Sequence, residues 1–481
     1  MILIFFPIIA SIVFALIGKR FNQWIGFALA AIPLYFAMDL FYHSGGTSSF
    51  TSTTLADYPW LSQNFRFTLG YDGITGILLL LANGLLPLIV LSGVRDDDNR
   101  VRNTALALFM QGTLNGVFMA KDGLMFYIFW ELALLPIYFI TLSMKHGNAF
   151  KITLRFFLYT FIGSLAMLAS LMYIVIFKTT NFSFAYSDIA AANYSLTESI
   201  WLGGGFLLAF AVKIPIVPFH SWQADTYTHS PTVGSMLLSG IMLKMGLYGL
   251  MRWYLPVFPE SLEYYKPLLL ALSILGVIYG AVIALRQQDM KRLIAFSSLS
   301  HVGLIAAGIF TLSLDGLQGA VLQMVVHGIN VVGLFLAVEI IESHTGSRNI
   351  IDLGGLAKTN RWFTVAFVII ALGATAVPMT NGFPGEFLLL KSLFETKPSM
   401  ALISGTTIIL CAAYMLRMLQ FSIFGEGESV LKQLNFGQWL SLAVIVALVL
   451  FLGIFPQSIL DTMQGPVNSL IEMIKAKGVM S

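Results

Sequence analysis

About fourteen stretches of roughly 20 mostly apolar residues follow one another along this chain, separated by short connections. A stretch of this kind is what an α-helix needs to cross the hydrocarbon core of a bilayer. The longest connections, 43–72 and 178–200, are too short to hold an inserted soluble domain. The pattern predicts an all-α, polytopic membrane protein. The predicted spans are 1–18, 25–42, 74–94, 104–120, 123–143, 152–177, 201–220, 232–253, 267–285, 292–313, 316–341, 362–392, 399–424 and 436–460.

The composition excludes a large soluble protein. Hydrophobic residues make up 57% of the chain and charged residues only 11%, whereas soluble domains are about 25% charged. The net charge of +3 does not favour nucleic acid as a partner. The single cysteine, Cys411, excludes an intrachain disulfide and any cysteine-based metal or iron–sulfur site. The lipid bilayer is therefore the expected surroundings of most of this chain.

The basic residues predict the orientation in the membrane. The first apolar stretch has no basic residues before it, so it does not resemble a cleavable signal peptide, and Lys19 and Arg20 follow it. Placing the N-terminus outside puts fifteen of the 27 Lys and Arg residues in inner loops and nine in outer segments. The positive-inside rule then predicts that both termini lie on the outer side.

Two pairs of segments indicate an internal repeat. Met242–Met245 resembles Met415–Met418, offset by 173 residues, and Phe126–Ser143 aligns with Phe296–Ser313, offset by 170. The matched helices are five apart, so the two halves must cross the membrane in opposite directions, as in many transporters. Chance similarity of apolar sequence is the alternative. The predicted organisation is a three-helix segment (1–100), two inverted five-helix repeats formed by helices four to eight (104–253) and nine to thirteen (267–424), and a C-terminal helix (436–460).

Helices seven and twelve, at corresponding places in the two halves, are predicted to be broken. Pro215 and Pro218 interrupt the seventh, and Pro378 and Pro384 interrupt the twelfth. Proline removes a backbone donor and clashes with the preceding turn. Paired broken helices indicate a transport site, although a simple proline kink would explain either one alone.

Ionisable residues stand in the middle of apolar stretches, where each costs about 2.5–3.5 kcal/mol on insertion. Acids, bases and histidines spread over several helices are typical of a proton or ion path. The alternatives are structural ion pairs, hydrogen-bonded core histidines and, for Arg417, a side chain extending to the membrane surface. His220 lies in a polar loop and is a further candidate, with a solvated side chain as its alternative. The buried residues are Glu131, Lys213, Lys244, His301, His327, Glu386 and Arg417.

Several motifs resemble the proton-translocating, antiporter-like subunits of respiratory complex I, and the resemblance covers nearly the whole chain. Within that family the chain is most similar to the M-type subunits (chain 4), which have glutamate at the position of Glu386 where L-type and N-type relatives have lysine. One departure is the stretch Gln223–Tyr227, where the family usually has Leu-Pro-Asp-Ala-His; Asp225 is kept. The motifs are Lys213-Ile-Pro-Ile-Val-Pro-Phe-His-Ser-Trp222, Ser230-Pro-Thr-Val-Gly-Ser235, Leu243-Lys-Met-Gly246, Trp130-Glu131-Leu132, Asp289-Met-Lys-Arg-Leu-Ile-Ala-Phe-Ser-Ser298, Ser300-His-Val-Gly303 and Gly382-Phe-Pro-Gly-Glu386.

The resemblance implies a role for each buried residue. Glu131 would modulate Lys213, Lys244 would relay protons, His301 and His327 would bridge the halves, and Glu386 would exchange protons with the outside. Quinone reduction elsewhere in the complex would supply the energy.

The resemblance also implies the surroundings of the chain. NADH, FMN, iron–sulfur clusters and quinone would bind other subunits, with no cofactor in this chain. The partners would be the adjacent L-type and N-type subunits in the cell inner membrane. The rivals are a Mrp-type sodium/proton antiporter subunit, against which Glu386 argues, a membrane-bound hydrogenase subunit and a structural scaffold.

Overall fold

The computed structural model of the chain describes residues 1–17, 23–43, 51–57, 66–92, 97–143 and 148–477, and nearly all of its regular structure is helical. Two short strands, β1 (Thr51–Asp57) and β2 (Arg66–Tyr71), form an antiparallel hairpin. The helices are α1 (Ile2–Ile17), α2 (Gln23–His43), α3 (Gly73–Ser92), α4 (Asp97–Met119), α5 (Gly123–Leu132), α6 (Leu134–Leu142), α7 (Ala149–Phe177), α8 (Tyr186–Ala191), α9 (Leu196–Lys213), α10 (Gln223–His229), α11 (Thr232–Leu237), α12 (Leu243–Gly249), α13 (Pro259–Arg286), α14 (Met290–Thr311), α15 (Leu314–Thr345), α16 (Leu356–Thr359), α17 (Arg361–Ala374), α18 (Gly382–Thr396), α19 (Pro398–Ser422), α20 (Phe436–Ile454) and α21 (Gln457–Ala476).

The predicted membrane spans coincide with helices. In the part of the chain that the structure describes, eleven helices are long and apolar enough to cross a membrane. The other three predicted spans overlap α1, α4 and the pair α17–α18, which are shorter, more polar or interrupted. The all-helical membrane class is thus confirmed, while the total of fourteen spans, the repeat boundaries and the orientation stay predictions. Lys19 and Arg20, on which the orientation depends, lie outside the described residues.

The two predicted helix breaks are present. Helix α9 ends at Lys213, nine residues of turns follow, and α10 begins at Gln223. Helix α17 ends at Ala374 and α18 begins at Gly382. A third interruption, at Ala133 between α5 and α6, was not predicted. Its cause is Pro136, which has no N–H group to donate to the carbonyl of Leu132.

Two elements at the edge of the bundle were also missed. The hairpin β1–β2 lies in a segment predicted only as a loop. The last predicted span, 436–460, is wrong at its end: α20 stops at Ile454, and a separate helix, α21, begins at Gln457. Helix α21 buries Met463, Val467, Leu470 and Ile474, one face of the helix, against α3 and α15.

The helices with the candidate site residues lie at the centre. The segment Thr232–Tyr254 is fully buried within the protein, and α14 and α15 are 94% buried over their most apolar windows. In contrast, only 22% of the corresponding window of α2 and 28% of that of α19 are buried. A polar group on a central helix therefore faces protein, and it needs a protein or water partner because lipid offers none.

Candidate functional site

Glu131 and Lys213 form the first part of the site. Glu131 is the penultimate residue of α5, and its carboxyl group interacts with the hydroxyl groups of Tyr127 and of Ser164 in α7. Lys213 is the last residue of α9, and its ammonium lies 5.3 Å from the centre of the Trp130 ring, within the range of a cation–π contact.

These two charges interact through space without direct contact. They attract one another electrostatically, yet they form no ion pair within 4.0 Å. The Oε1 atom of Glu131 and the Nζ atom of Lys213 are both buried without a hydrogen-bond partner. Both groups therefore have unused hydrogen-bonding capacity, which water or a small side-chain movement can satisfy.

Lys244 lies in a neighbouring, fully buried helical turn. Its Nζ atom donates a hydrogen bond of 2.6 Å to the carbonyl of Ser239, in the π-helical segment Leu238–Met242. The same nitrogen lies 2.9 Å from Nδ1 of His327 in α15. No carboxylate lies within 4.0 Å of this nitrogen among the described side chains. The backbone of Lys213 packs close to this turn. A Cβ atom placed on Gly246, two residues after Lys244, would lie 3.3 Å from the Cβ of Lys213.

His301 and Glu386 form the opposite end. Nδ1 of His301 in α14 lies 3.0 Å from Oε1 of Glu386 in α18. The amide of Gln323 donates to the same oxygen at 3.4 Å, and Nε2 of His301 is 3.6 Å from the thiol of Cys411. The rings of His301 and His327 are 6.1 Å apart, centre to centre. The side chains thus form a series from Lys244 through His327 and His301 to Glu386.

A polar cavity adjoins the two histidines. Its volume is about 20 Å³, which is room for about one water molecule. Nε2 of His327, Oε1 of Gln323 and Oδ1 of Asn330 are all buried without a hydrogen-bond partner. Buried polar atoms of this kind are usually satisfied by ordered water, and a cavity with several of them is suited to hold it. The polar lining residues are Ser297, Ser298, His301, Gln323, His327 and Asn330.

The two additional candidates lie apart from this series. The guanidinium of Arg417 donates to the carbonyls of Leu285 and Gln287 at 2.8 and 3.0 Å, and so caps the C-terminal end of α13. The ring of His220 packs edge-on against Tyr279 at 4.9 Å. The structure gives Arg417 a structural contact, and a role for either residue in transfer stays a prediction.

The unusual stretch after Trp222 is helical. It forms α10, in which Gln223 and Tyr227 are buried. The carboxylate of Asp225 lies between Arg155 and Arg292, at 3.4 and 3.0 Å. The departure from the usual motif therefore leaves the ion pairs of Asp225 in place.

A buried ion pair lies outside the set of predicted site residues. One of the nine basic residues counted in outer segments, Arg252, is instead buried in the π-helical segment Leu250–Tyr254, at the end of the predicted span 232–253. Its charge is tolerated there because it pairs with Asp72. Asp72 also accepts a 2.9 Å hydrogen bond from the backbone of Thr75 at the start of α3. Asp72 and Arg252 each lie at the edge of a predicted membrane span. A charged residue is ordinary at such a position, so the sequence did not indicate that either residue is buried.

Comparisons with known proteins show the family of the chain. The family model described as "NADH:quinone oxidoreductase/Mrp antiporter, TM" matches residues 120–411. NADH-quinone oxidoreductase subunit M of Rickettsia felis is 34% identical over 86% of this chain and 85% of its own length. NADH-ubiquinone oxidoreductase chain 4 of Marchantia polymorpha is 31% identical over 98% and 96%.

Solved structures show the same fold. A chain of respiratory complex I from Thermus thermophilus with bound NADH matches with a TM-score of 0.91 and 27% identity, over 98% of this chain and 99% of that one. A chain of the Mrp complex from Dietzia sp. DQ12-45-1b matches with a TM-score of 0.87 over 100% and 98%, but at 18% identity, which shows the fold alone. The chain belongs to the NADH:quinone oxidoreductase/Mrp antiporter family of membrane proteins and, within it, to the subunit M group of NADH-quinone oxidoreductases.

Proposed function

We propose that this chain translocates protons across an energy-transducing membrane as the M-type subunit of NADH-quinone oxidoreductase. The observation that supports this most directly is the buried series from Lys244 through His327 and His301 to Glu386. Its members are titratable, and each end lies beside a different broken or distorted helix. A scaffold has no need of such a series, because each buried charge costs free energy that apolar residues would not.

The contacts of Lys244 and Glu386 give the series a direction. In the part of the chain that the structure describes, the partners of a positive charge at Lys244 are neutral: the carbonyl of Ser239 and the ring of His327. A positive charge at His301 lies 3.0 Å from a carboxylate, and an ion pair at about 4 Å is worth about 4 kcal/mol at an effective dielectric near 20. Glu386 therefore stabilises a proton that has reached His301, whereas no carboxylate among the described side chains holds the proton at Lys244.

Each histidine can pass a proton through its ring. His327 faces Lys244 with Nδ1 and the polar cavity with Nε2. Imidazole can accept a proton at one nitrogen and release the other, which suits it to relay. The two rings, whose centres are 6.1 Å apart, form no hydrogen bond with each other among the described contacts, so water in the cavity completes the connection.

Glu131 and Lys213 act as a gate before Lys244. When the ammonium of Lys213 moves towards Glu131, it moves away from Lys244 and lowers the repulsion there. When the pair separates, the charge on Lys213 favours release of the proton on Lys244.

Redox chemistry occurs in other subunits, where NADH, FMN, iron–sulfur clusters and quinone would bind. The adjacent subunits would be the L-type and N-type relatives in the cell inner membrane.

The test is proton pumping per assembled complex in a Lys244→Met variant. Methionine has a similar length and no proton to transfer, so we expect assembly to be retained and pumping to be largely lost. Lys397→Met, at the exposed start of α19, is the matched control. Normal pumping by Lys244→Met would refute the proposed relay. Pumping that needs sodium but no NADH would favour the Mrp-type alternative.

A further inference from the structure

An apolar groove runs along one side of the bundle, between helices α2, α3, α15 and α20. Its volume is about 390 Å³. Its floor includes Leu81 of α3 and Ile329 of α15, whose side chains are buried. Its rim includes Met38 of α2 and Phe451 of α20, which are 54% and 51% exposed. The groove therefore opens at the lateral surface of the bundle, the surface that a bilayer surrounds.

The length of the groove matches the depth of one leaflet of the bilayer. Its lining residues on α3 lie between positions 77 and 85, and those on α20 lie between positions 444 and 452. Eight helical steps amount to about 12 Å, and half of the hydrocarbon core of a bilayer is about 15 Å thick. The groove begins near the start of α3 and the end of α20. From that end it extends towards the middle of the bilayer.

Helix α21 lies at the shallow end of the groove. Ser458, in the first turn of α21, is the one residue with a polar side chain among the described residues that line the groove. Thr462, one turn further along, lies against Gly73 at the start of α3. Helix α21 buries one apolar face and carries polar residues on the other, which is typical of a helix at the membrane surface. An occupant can therefore place a polar group beside Ser458 and must be apolar along the rest of its length.

We propose that this groove is a binding site for one acyl chain of a phospholipid from the surrounding bilayer, with the head group at the Ser458 end. Water is a poor occupant, because apolar cavities stay dry. A phospholipid joins a polar group to an apolar chain as long as one leaflet is deep, and this matches both the lining and the length of the groove. None of the described lining residues is charged, so we expect the chain to be recognised and not the head group. The site does not depend on the proposed proton relay.

Gly84 of α3 gives access to the deep end of the groove by mutation. A Cβ atom placed on Gly84 would have Cδ1 of Leu34, at 4.0 Å, as its neighbour among the described atoms. A larger side chain at this position can therefore enter the groove without a clash at its first atom. Gly84→Leu should fill the deep end and exclude the acyl chain. Gly84→Ala is the matched control, because it also replaces a helical glycine but adds only one methyl group.

A structure of the assembled complex tests the site directly. The complex is stripped of lipid in detergent and placed in discs of phosphatidylcholine whose acyl chains carry bromine at mid-chain. We expect bromine density in the groove beside Gly84 in the unmodified complex and in Gly84→Ala, and none there in Gly84→Leu. Bromine density around the bundle with none in the groove of the unmodified complex would overturn the proposal. A side chain of an adjacent subunit that fills the groove would overturn it as well.

The thermal stability of the lipid-depleted complex gives a second test. An apolar cavity left empty destabilises a fold, and a side chain that fills the cavity removes part of that cost. We expect the unmodified complex and Gly84→Ala to dissociate at a lower temperature after lipid removal and to recover when phosphatidylcholine is added back. Gly84→Leu should lose less stability on lipid removal and regain less on lipid addition. Equal responses of Gly84→Leu and Gly84→Ala to phosphatidylcholine would refute the site.

Discussion

The imidazole Nδ1 of His301 lies 3.0 Å from Oε1 of Glu386, and both side chains are buried in the centre of the bundle. In the proposed repeat these residues correspond to Glu131 and Lys213, at offsets of 170 and 173 residues. The acid and the base have exchanged places between the halves. Under the predicted repeat, one half thus has a separated pair and the other a pair in contact.

Replacement of Glu386 tests the contact pair. Glu386→Gln retains the size and the hydrogen bond from Gln323 but removes the charge that stabilises a proton at His301. We expect complexes to assemble and to lose most of their proton pumping and coupled quinone reduction. Glu395→Gln, at a side chain that is 51% exposed on the same helix, is the control. Equal pumping in the two variants would contradict a role for Glu386 in transfer.

Loss of His301 should have a smaller effect. His301→Ala leaves a space that joins the existing cavity of about 20 Å³, and water in the enlarged cavity can carry protons past the missing ring. We expect pumping per assembled complex to fall, but less than in Glu386→Gln. The two variants should be measured in the same membranes. A larger loss in His301→Ala would show that the imidazole itself is required.

The buried pair Asp72–Arg252 should affect stability rather than pumping. Removing one partner of a buried pair typically costs about 3–5 kcal/mol, because the other charge is left uncompensated. We expect Arg252→Met to lower the amount of assembled complex and its thermal stability. Asp72→Asn/Arg252→Met should recover part of that loss, and pumping per assembled complex should stay normal in both. A double variant less stable than the single one would argue against the pair.

Asp122 gives a prediction about pH. It lies just before α5, outside the membrane-spanning segment, and burial raises its pKa to about 7 although backbone N–H groups of Met125 and Leu124 bond to it. An acid with a raised pKa binds its proton more tightly in the folded state, so its contribution to stability falls as pH rises from about 4 towards 7.

The Asp122→Asn variant should therefore be more stable than the wild type at pH 8, where the wild-type carboxylate is charged. The difference should shrink as the pH falls towards 5. Asparagine keeps the helix cap, so capping is not lost. Thermal dissociation of the assembled complex, measured across this pH range, checks the prediction. A difference that does not change with pH would count against it.

The spans and the two proline breaks were predictable because the bilayer fixes the length of a helix and proline removes a backbone donor. Glu131, Lys213 and Lys244 were recognisable because charge is costly at membrane depth. Gln323, Asn330 and Cys411 gave no such signal, since neutral polar side chains are common inside membrane proteins. Their importance depends on which helices face one another, which local sequence does not encode.

Helix α21 escaped prediction for a different reason. It carries Asp461, Glu472 and Lys475 on the face opposite its buried residues, which makes it too polar for a membrane span. Its apolar face is defined only by packing against α3 and α15. The pairing of β1 with β2 likewise depends on contacts between strands that a hydropathy pattern does not reveal.

The last prediction concerns Glu131, the acid of the separated pair. Glu131→Gln keeps the shape of the side chain and its contacts with Tyr127 and Ser164, but removes the charge that attracts Lys213. We expect a normal amount of assembled complex, with proton pumping and coupled quinone reduction strongly reduced. Lys213→Ala should behave similarly, because it removes the other member of the same gate. Glu263→Gln, at an exposed position of α13, is the matched control.

A purely structural role for Glu131 predicts the opposite pattern. If the carboxylate only stabilised the bundle, its loss would lower the amount of assembled complex while activity per complex stayed normal. Removing the negative charge would then also leave the buried ammonium of Lys213 without its attracting carboxylate, in contact with the ring of Trp130. The amount of assembled complex would therefore fall. Measuring assembly and pumping in the same membranes separates the two roles. Normal pumping per assembled complex in Glu131→Gln would end the hypothesis that this residue gates translocation.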